Sequence, residues 1–182
     1  KTGTFGVFSI CGLEETDSVT AGGGALLMAA ERRNWIVLKK FTDNCAKTDI
    51  LPDMNGALAY IQLKEFNKNE SLRKELFEMY IRSLMQGKHK TFSNQLDNAT
   101  SSVYSFPVIL SSSMKDVKQY ALRKEIEILP AYEDSCIALR EEELEHCVQA
   151  KSLMLRCVLF PLYPRLGGAQ SAKVAKVLAT LP

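Results

Sequence analysis

The sequence is poor in the residues that most often build metal and redox sites. Its 182 residues include only two histidines and five cysteines, and no two cysteines have Cys-x-x-Cys spacing. Zinc-ribbon and thioredoxin-type sites are therefore not expected, and we interpret the odd number of cysteines as reduced, mostly buried thiols of an intracellular protein. The sequence predicts no metal centre and no bound cofactor.

Long apolar runs and a strong charge of one sign are absent as well. No run approaches the roughly 18 apolar residues that would cross a membrane. Lysine and arginine number 23 against 21 acidic residues, which gives a net charge of +2 and argues against a polyanion binder driven by bulk charge. Hydrophobic residues make up 46% of the chain, so we expect a packed globular core.

The length fits a single globular domain that extends over residues 1–182. The first residue is Lys1 rather than a methionine. We therefore expect a processed product or a fragment of a longer chain.

The hydrophobic pattern predicts a mainly α-helical fold, a single-domain bundle of about six helices. The expected helices cover residues 25–41, 53–66, 67–87, 114–129 and 137–159, and a last short helix begins at Ser171. The clearest of them contains an apolar stripe with a repeat of four residues, the spacing of one helix face. The stripe consists of Leu72, Leu76, Tyr80 and Leu84. Asn67 has capping-box spacing to Glu70 and is the expected start of this helix.

Two short segments predict a minor β element beside the helices. Thr4 to Cys11 is rich in Phe, Val and Ile and is bounded by glycines, and Val103 to Leu110 is a second apolar run. Pro107 lies within the second run, and a proline has no backbone N–H to donate to a neighbouring strand. We therefore expect this segment to be an edge strand or an extended segment outside a sheet.

A short internal repeat offers an alternative to the bundle. Gly24-Ala25-Leu26 recurs as Gly56-Ala57-Leu58 after 32 residues, and the stretch from Ala25 to Leu38 loosely resembles the two helices of an ankyrin repeat. A solenoid needs at least three units, and no third unit continues this period. The bundle remains the prediction, and no function is taken from the resemblance.

No group of residues assembles an acid, a base and a nucleophile. Gly22–Gly24 lacks the Gly-Lys-Ser/Thr ending of a phosphate-binding loop, so we interpret the triplet as a flexible turn. Glu143 and His146 have the spacing of half a carboxylate di-iron site, but no second half exists. The sequence therefore predicts no catalytic residues and favours a protein that is not an enzyme.

The most suggestive surface feature is a basic helix face at residues 32–40. It consists of Arg32, Arg33, Trp35, Lys39 and Lys40. Cations around an accessible aromatic ring suit a single-stranded nucleic acid, because the charges contact phosphates and the ring stacks on a base. They suit an acidic protein partner equally well, and a solvated face is the third interpretation.

Three functions follow as hypotheses. We favour a non-catalytic protein–protein interaction or assembly module, because catalytic chemistry is missing and apolar segments lie at both ends of the chain. The alternative is an RNA-binding, nucleoprotein-like domain that uses the basic helix face. The third is an enzyme whose site is dispersed along the sequence. A protein partner or self-association is expected in the first case, and a nucleic acid in the second.

Overall fold

The computed structural model describes residues 3–92, 102–133, 135, 136, 138 and 146–182. The chain divides into two compact units, Lys1–Lys68 and Asn69–Pro182, called unit 1 and unit 2 below. That residues 1–182 act as a single domain stays a prediction. No helix in the described ranges is long and apolar enough to cross a membrane.

Unit 1 combines a β-hairpin with two helices. Its elements are β1 (Phe8–Gly12), β2 (Ala25–Ala29), α1 (Arg32–Asp43), a 3-10 turn (Lys47–Asp49) and α2 (Asp53–Lys64). The two strands are antiparallel, with Ile10 directly opposite Leu27. A small core forms from buried Leu13, Val19, Ala21 and Ala59, against which Leu26, Leu51 and Phe66 pack.

The predicted helix over residues 25–41 is wrong in its first third. Ala25–Ala29 is strand β2, and the helix begins only at Arg32. Ala, Leu and Met favour helices when nothing else decides. Here they pair along their whole length with β1, so the tertiary partner overrides the local preference. The same strand removes the basis of the ankyrin resemblance.

Unit 2 packs helices on a three-stranded antiparallel sheet. Its elements are α3 (Phe66–Leu84), which begins at the end of unit 1, β3 (Phe106–Ile109), α4 (Met114–Arg123), β4 (Leu129–Pro130), α5 (Val148–Arg156), β5 (Cys157–Phe160) and α6 (Gly168–Ala179). The strand order is β3-β5-β4. Pro107 therefore lies on an edge strand, as predicted. Phe106 and Val108 of β3 meet Val158 and Phe160 of β5 in the main core.

Helix α3 confirms the apolar stripe. Tyr80 and Leu84 are buried in the core of unit 2, and Leu76 packs against it. The helix begins at Phe66, so Asn67 lies in its first turn rather than at its cap. The reason is that Glu65 already ends α2, and one residue is enough to separate the two helices.

The predicted helix over residues 137–159 is wrong at its C-terminal end. Residues 137 and 139–145 lie outside the described residues, α5 covers only Val148–Arg156, and Cys157–Phe160 is the central strand β5. A short, uniformly apolar run fits a buried strand and a buried helix equally well. Pairing with β3 on one side and β4 on the other decides in favour of the strand.

The predicted mainly α-helical bundle is therefore wrong. The described residues form an α/β arrangement with two sheets, and the β elements organise both units instead of being minor. Both segments that were expected to be β contain strands, over Phe8–Gly12 and Phe106–Ile109. Of the remaining strands, Ala25–Ala29 and Cys157–Phe160 lie in segments predicted as helix, and Leu129–Pro130 lies at the end of another predicted helix.

Candidate functional site

A cleft of about 320 Å³ in unit 1 is a candidate site in the described part of the chain. The glycine triplet Gly22–Gly24 and Ala25 form one wall, and residues 48–52 with Asn55 form the other. All three glycines have positive φ angles, and that of Gly23 is 123°, a conformation that side chains with a Cβ rarely adopt. We call this feature the glycine cleft.

Hydrogen bonds fix the glycine wall. Leu13 donates its amide to the carbonyl of Gly24 at 3.0 Å, and its own carbonyl accepts the amides of Ala21 and Gly23, both at 3.0 Å. Asn55 donates its side-chain amide to the carbonyl of Ala21 at 2.6 Å and so connects α2 to the loop. The triplet is thus a constrained wall and not the flexible turn that the sequence indicated.

The polar groups of the cleft are neutral or acidic. The Gly22 amide contacts the Thr20 hydroxyl at 3.3 Å and the Gly23 amide is bonded to Leu13, so two of the three triplet amides are already used. On the opposite wall the Thr48 hydroxyl donates to the carboxylate of Asp49 at 3.2 Å. No lysine or arginine lines the cleft. Such a lining offers hydrogen bonds to hydroxyl groups and repels anions.

Gly24→Ala is expected to destabilise the protein by about 1–3 kcal/mol. The backbone of Gly24 has a φ of 91°, and an added Cβ would lie 2.7 Å from the Leu51 side chain on the opposite wall. Gly56→Ala is the matched control, because no atom lies within 4 Å of its added Cβ and it sits inside α2. We expect the control to raise stability by about 0.5–1 kcal/mol. If urea unfolding gave the same change in free energy for Gly24→Ala and Gly56→Ala, the glycine wall would not be constrained.

The basic helix face lies on α1, and all five of its residues are exposed. Trp35 is 51% exposed, and the Lys39 ammonium lies 5.5 Å from the centre of its ring. This cation–π contact brings Lys39 and Trp35 together. That Arg32, Arg33, Trp35, Lys39 and Lys40 bind a partner stays a prediction.

Two further expectations concern metal and thiol chemistry. His146 is exposed, and its expected partner Glu143 lies outside the described residues. All five cysteines are free, as predicted. They are not mostly buried, however, because Cys136 and Cys147 are exposed and only Cys157 is fully buried. Burial raises the pKa of the Cys157 thiol to about 11.

A buried histidine in unit 2 was not anticipated from the sequence. His89 accepts the Ser111 amide at its Nδ1 atom at 3.1 Å. Its Nε2 atom therefore carries the proton and donates to the carbonyl of Pro182 at 3.1 Å, which also accepts the Ser112 hydroxyl at 2.9 Å. Burial, with Lys88 nearby, lowers the pKa of His89 despite the bond to Pro182. The neutral ring anchors the segment that follows α6.

We expect acid to destabilise the protein through His89. Because the pKa of His89 is lowered in the folded state, its stabilising contribution is complete above the unfolded value of about 6.5 and is lost as the pH falls towards the folded value. The loss should not exceed about 1.4 kcal/mol per pH unit. Urea unfolding at several pH values, compared with His89→Gln, isolates this contribution. An identical pH dependence in both proteins would contradict it.

Comparison with known structures identifies the fold as that of aminotransferases. Aminotransferase TlmJ from Streptoalloteichus hindustanus superimposes with a TM-score of 0.79 at 15% identity, over 98% of this chain and 52% of that one. The aminotransferase from Psychrobacter cryohalolentis gives 0.77 at 15% identity, over 98% and 56%. GDP-4-keto-6-deoxy-D-mannose-3-dehydratase from E. coli, solved with bound hydrated PLP, gives 0.73 at 16% identity, over 98% and 56%. No curated protein sequence matches this chain.

The sequence defines the family within this fold. Residues 32–179 match the DegT/DnrJ/EryC1/StrS aminotransferase family, and the chain belongs to it. The chain spans about half the length of the solved proteins that it resembles. The predicted non-catalytic interaction or assembly module and the RNA-binding alternative are therefore wrong, and so is the expectation that the protein is not an enzyme. No short motif in the sequence had indicated this family.

The glycine cleft does not fit pyridoxal phosphate (PLP), the cofactor bound in the E. coli dehydratase structure. In aminotransferases a lysine amine usually binds the aldehyde of that cofactor, and amides or cations hold its phosphate. The cleft lacks a lysine and an arginine, carries the carboxylate of Asp49, and has already used two of its triplet amides. We therefore assign no residue of the cleft to this cofactor.

Sequence reasoning missed the wall opposite the triplet. Thr48, Asp49 and Asn55 come from a 3-10 turn and from α2, and ordinary polar residues at turns and helix starts carry no signal of a site. The triplet itself was the usable signal, because glycines in succession indicate a backbone that needs positive φ angles.

Proposed function

We propose that the gene product that contains this chain transfers an amino group to a keto sugar linked to a nucleotide. The observation that carries this proposal is the family match, which extends over residues 32–179 and includes parts of both compact units. A keto sugar is the substrate class because one of the similar structures is a dehydratase whose name specifies a GDP-linked 4-keto-6-deoxy sugar.

The glycine cleft supplies a site for sugar hydroxyls within this proposal. Asp49 accepts hydrogen bonds, and Thr48 both donates and accepts them. A carboxylate binds a neutral hydroxyl well and disfavours a phosphate by charge repulsion. The cleft therefore suits the sugar ring rather than the nucleotide's phosphates.

Asp49→Asn is expected to raise the KM for the sugar by at least about tenfold, since a hydrogen bond to a charged group contributes about 1.5–3 kcal/mol and about 1.4 kcal/mol is a factor of ten. The value of kcat should change little, because the cleft positions the sugar and holds no reacting group. Asp53→Asn is the matched control, as Asp53 is a nearby carboxylate in the first turn of α2 that does not line the cleft. If the Asp49→Asn and Asp53→Asn variants had equal KM values, Asp49 would not bind the sugar.

The activity itself is tested on the complete product of the open reading frame, supplemented with pyridoxal phosphate. The assay contains a nucleotide-linked 4-keto sugar and glutamate as amino donor. We expect one amino sugar and one 2-oxo acid for each glutamate consumed, measured by NMR and mass spectrometry. Loss of a sugar hydroxyl, with one 2-oxo acid and one ammonia formed for each glutamate and no amino sugar, would show deoxygenation of the sugar in place of amino transfer. No turnover of any keto sugar would overturn the proposal.

A further inference from the structure

Lysine is missing from both walls of the glycine cleft. No lysine occurs between Lys1 and Lys39, a stretch that contains both strands of the hairpin, the loop between them and the glycine triplet. The opposite wall, residues 48–52 with Asn55, contains no lysine either. Covalent attachment of PLP takes the amine of a lysine, which condenses with the cofactor's aldehyde and releases water. Neither wall supplies that amine.

The described lysines of unit 1 all lie on its surface. Lys47 is the closest to the cleft along the chain, because it directly precedes Thr48, but it is exposed and does not line the cleft. Lys39 and Lys64 lie over aromatic rings, at 5.5 Å and 4.6 Å from the ring centres. A lysine in water has a pKa of about 10.4, so near neutral pH almost none of its amine is in the neutral form that attacks an aldehyde.

Unit 2 places one lysine at a cavity of about 170 Å³ in its described part. The residues that line this cavity come from α4 and from the segment before β4, namely Lys118, Leu122, Ile126, Glu127 and Ile128. A lysine bonded to the aldehyde leaves no second cation in this lining for the phosphate, and the carboxylate of Glu127 repels an anion. This cavity therefore does not fit PLP.

Two other lysines of unit 2 are partly buried, Lys151 of α5 and Lys173 of α6, and its remaining lysines are exposed. The ammonium of Lys173 donates to the carboxylate of Glu125 at 2.6 Å, a contact that holds it as a cation. Lys151 and Lys173 line neither the glycine cleft nor the cavity at α4. No described lysine of unit 2 is thus placed in a site that also receives a phosphate.

Carboxylates at the glycine cleft oppose the phosphate of PLP as well. An oxygen of the Glu14 carboxylate lies 3.8 Å from the position that a Cβ on Gly23 would take, and Asp49 lies on the opposite wall. A phosphate monoester carries about 1.5 to 2 negative charges at pH 7. Like charges repel, and they do so more strongly where water is excluded. The cleft therefore lacks an attachment for either end of the cofactor.

We infer that no lysine of residues 1–182 bonds covalently to PLP. The inference depends on the proposed function only for the choice of cofactor. It concerns attachment and not turnover, because PLP that is held by noncovalent contacts, or by an amine outside residues 1–182, is compatible with amino transfer.

The test traps the cofactor on the complete product of the open reading frame. The protein is incubated with an equimolar amount of PLP and treated with sodium borohydride, whose hydride reduces an imine between lysine and PLP to a stable secondary amine. Peptide mass spectrometry measures the labelled fraction of each lysine, and the same protein in guanidinium chloride gives the unspecific level. A desolvated lysine with a pKa near 7 has a neutral amine roughly 1000-fold more often than one with a pKa of about 10.4.

We expect no lysine of residues 1–182 to be labelled above its unspecific level. Labelling above that level at any of them overturns the inference. The trapping needs no turnover, so its outcome is separate from that of the activity assay. A labelled lysine in residues 1–182 together with amino transfer overturns the inference and leaves the proposed function intact, and the absence of both does the reverse.

Single substitutions test the two lysines that lie closest to a cavity. Lys47→Arg and Lys118→Arg keep the positive charge and remove the amine that forms an imine. Lys68→Arg is the matched control, because Lys68 is exposed and lines neither cavity. After gel filtration all three variants should retain as much PLP, measured by absorbance, as the unchanged product. Loss of PLP in Lys47→Arg or Lys118→Arg, with normal retention in Lys68→Arg, overturns the inference.

Discussion

Tyr80→Ala is expected to lower the free energy of unfolding by about 3–5 kcal/mol. Tyr80 is fully buried in the core of unit 2, and its ring meets that of Phe106 edge to face, with 5.2 Å between the ring centres. Burial raises the pKa of its phenol to about 12. Removing the ring creates a cavity between α3 and the sheet and breaks an aromatic pair. Urea or thermal unfolding monitored by circular dichroism measures the loss.

Tyr80→Phe is the matched control, because it keeps the ring and removes only the hydroxyl. Among the described residues this hydroxyl has no hydrogen-bond partner. An unsatisfied buried polar group costs about 1–3 kcal/mol, so Tyr80→Phe should leave stability unchanged or raise it. If both variants lost the same amount, the hydroxyl rather than the packed ring would stabilise the core.

The helix that contains Tyr80 was predictable because its signals are local. The spacing of Leu76, Tyr80 and Leu84 defines a helix face, and the structure buries or half-buries each of them. Pro107 was equally informative, because a missing amide restricts a strand to an edge wherever its partner lies. Such features depend on a few neighbouring residues, and no tertiary contact has to be known.

The two strands that were predicted as helix depend on distant partners. Ala25–Ala29 has helix-favouring residues and becomes a strand by pairing with β1. Cys157–Phe160 directly continues the chain after α5 and becomes the central strand between β3 and β4. Register and pairing are properties of two segments together, so a pattern within one segment cannot reveal them.

Only one wall of the candidate site could be predicted, because the other wall comes from a distant segment of the chain. The glycine triplet indicates an unusual backbone conformation. The cleft, however, also needs Asp49 and Asn55, which come from a different part of unit 1. The wrong inference that the protein is not an enzyme came from requiring acid, base and nucleophile within a short motif. The family match extends over 148 residues, from 32 to 179. A match of that length adds up weak residue preferences at many positions, and no short motif shows them.

Cys157 is expected to react with iodoacetamide at least roughly 100-fold more slowly than Cys147 in the native protein. Burial raises the pKa of Cys157 from its ordinary 9.0 to about 11, which lowers the fraction of the reactive thiolate about 100-fold near neutral pH. The thiol lies on the central strand and is inaccessible, whereas Cys147 is exposed. Peptide mass spectrometry over a time course measures both rates in one sample. In denaturant the rates should converge, which serves as the control. Similar native rates would mean that the segment after Arg156 is open to solvent, as it would be at the frayed end of a helix, and would contradict the central position of β5.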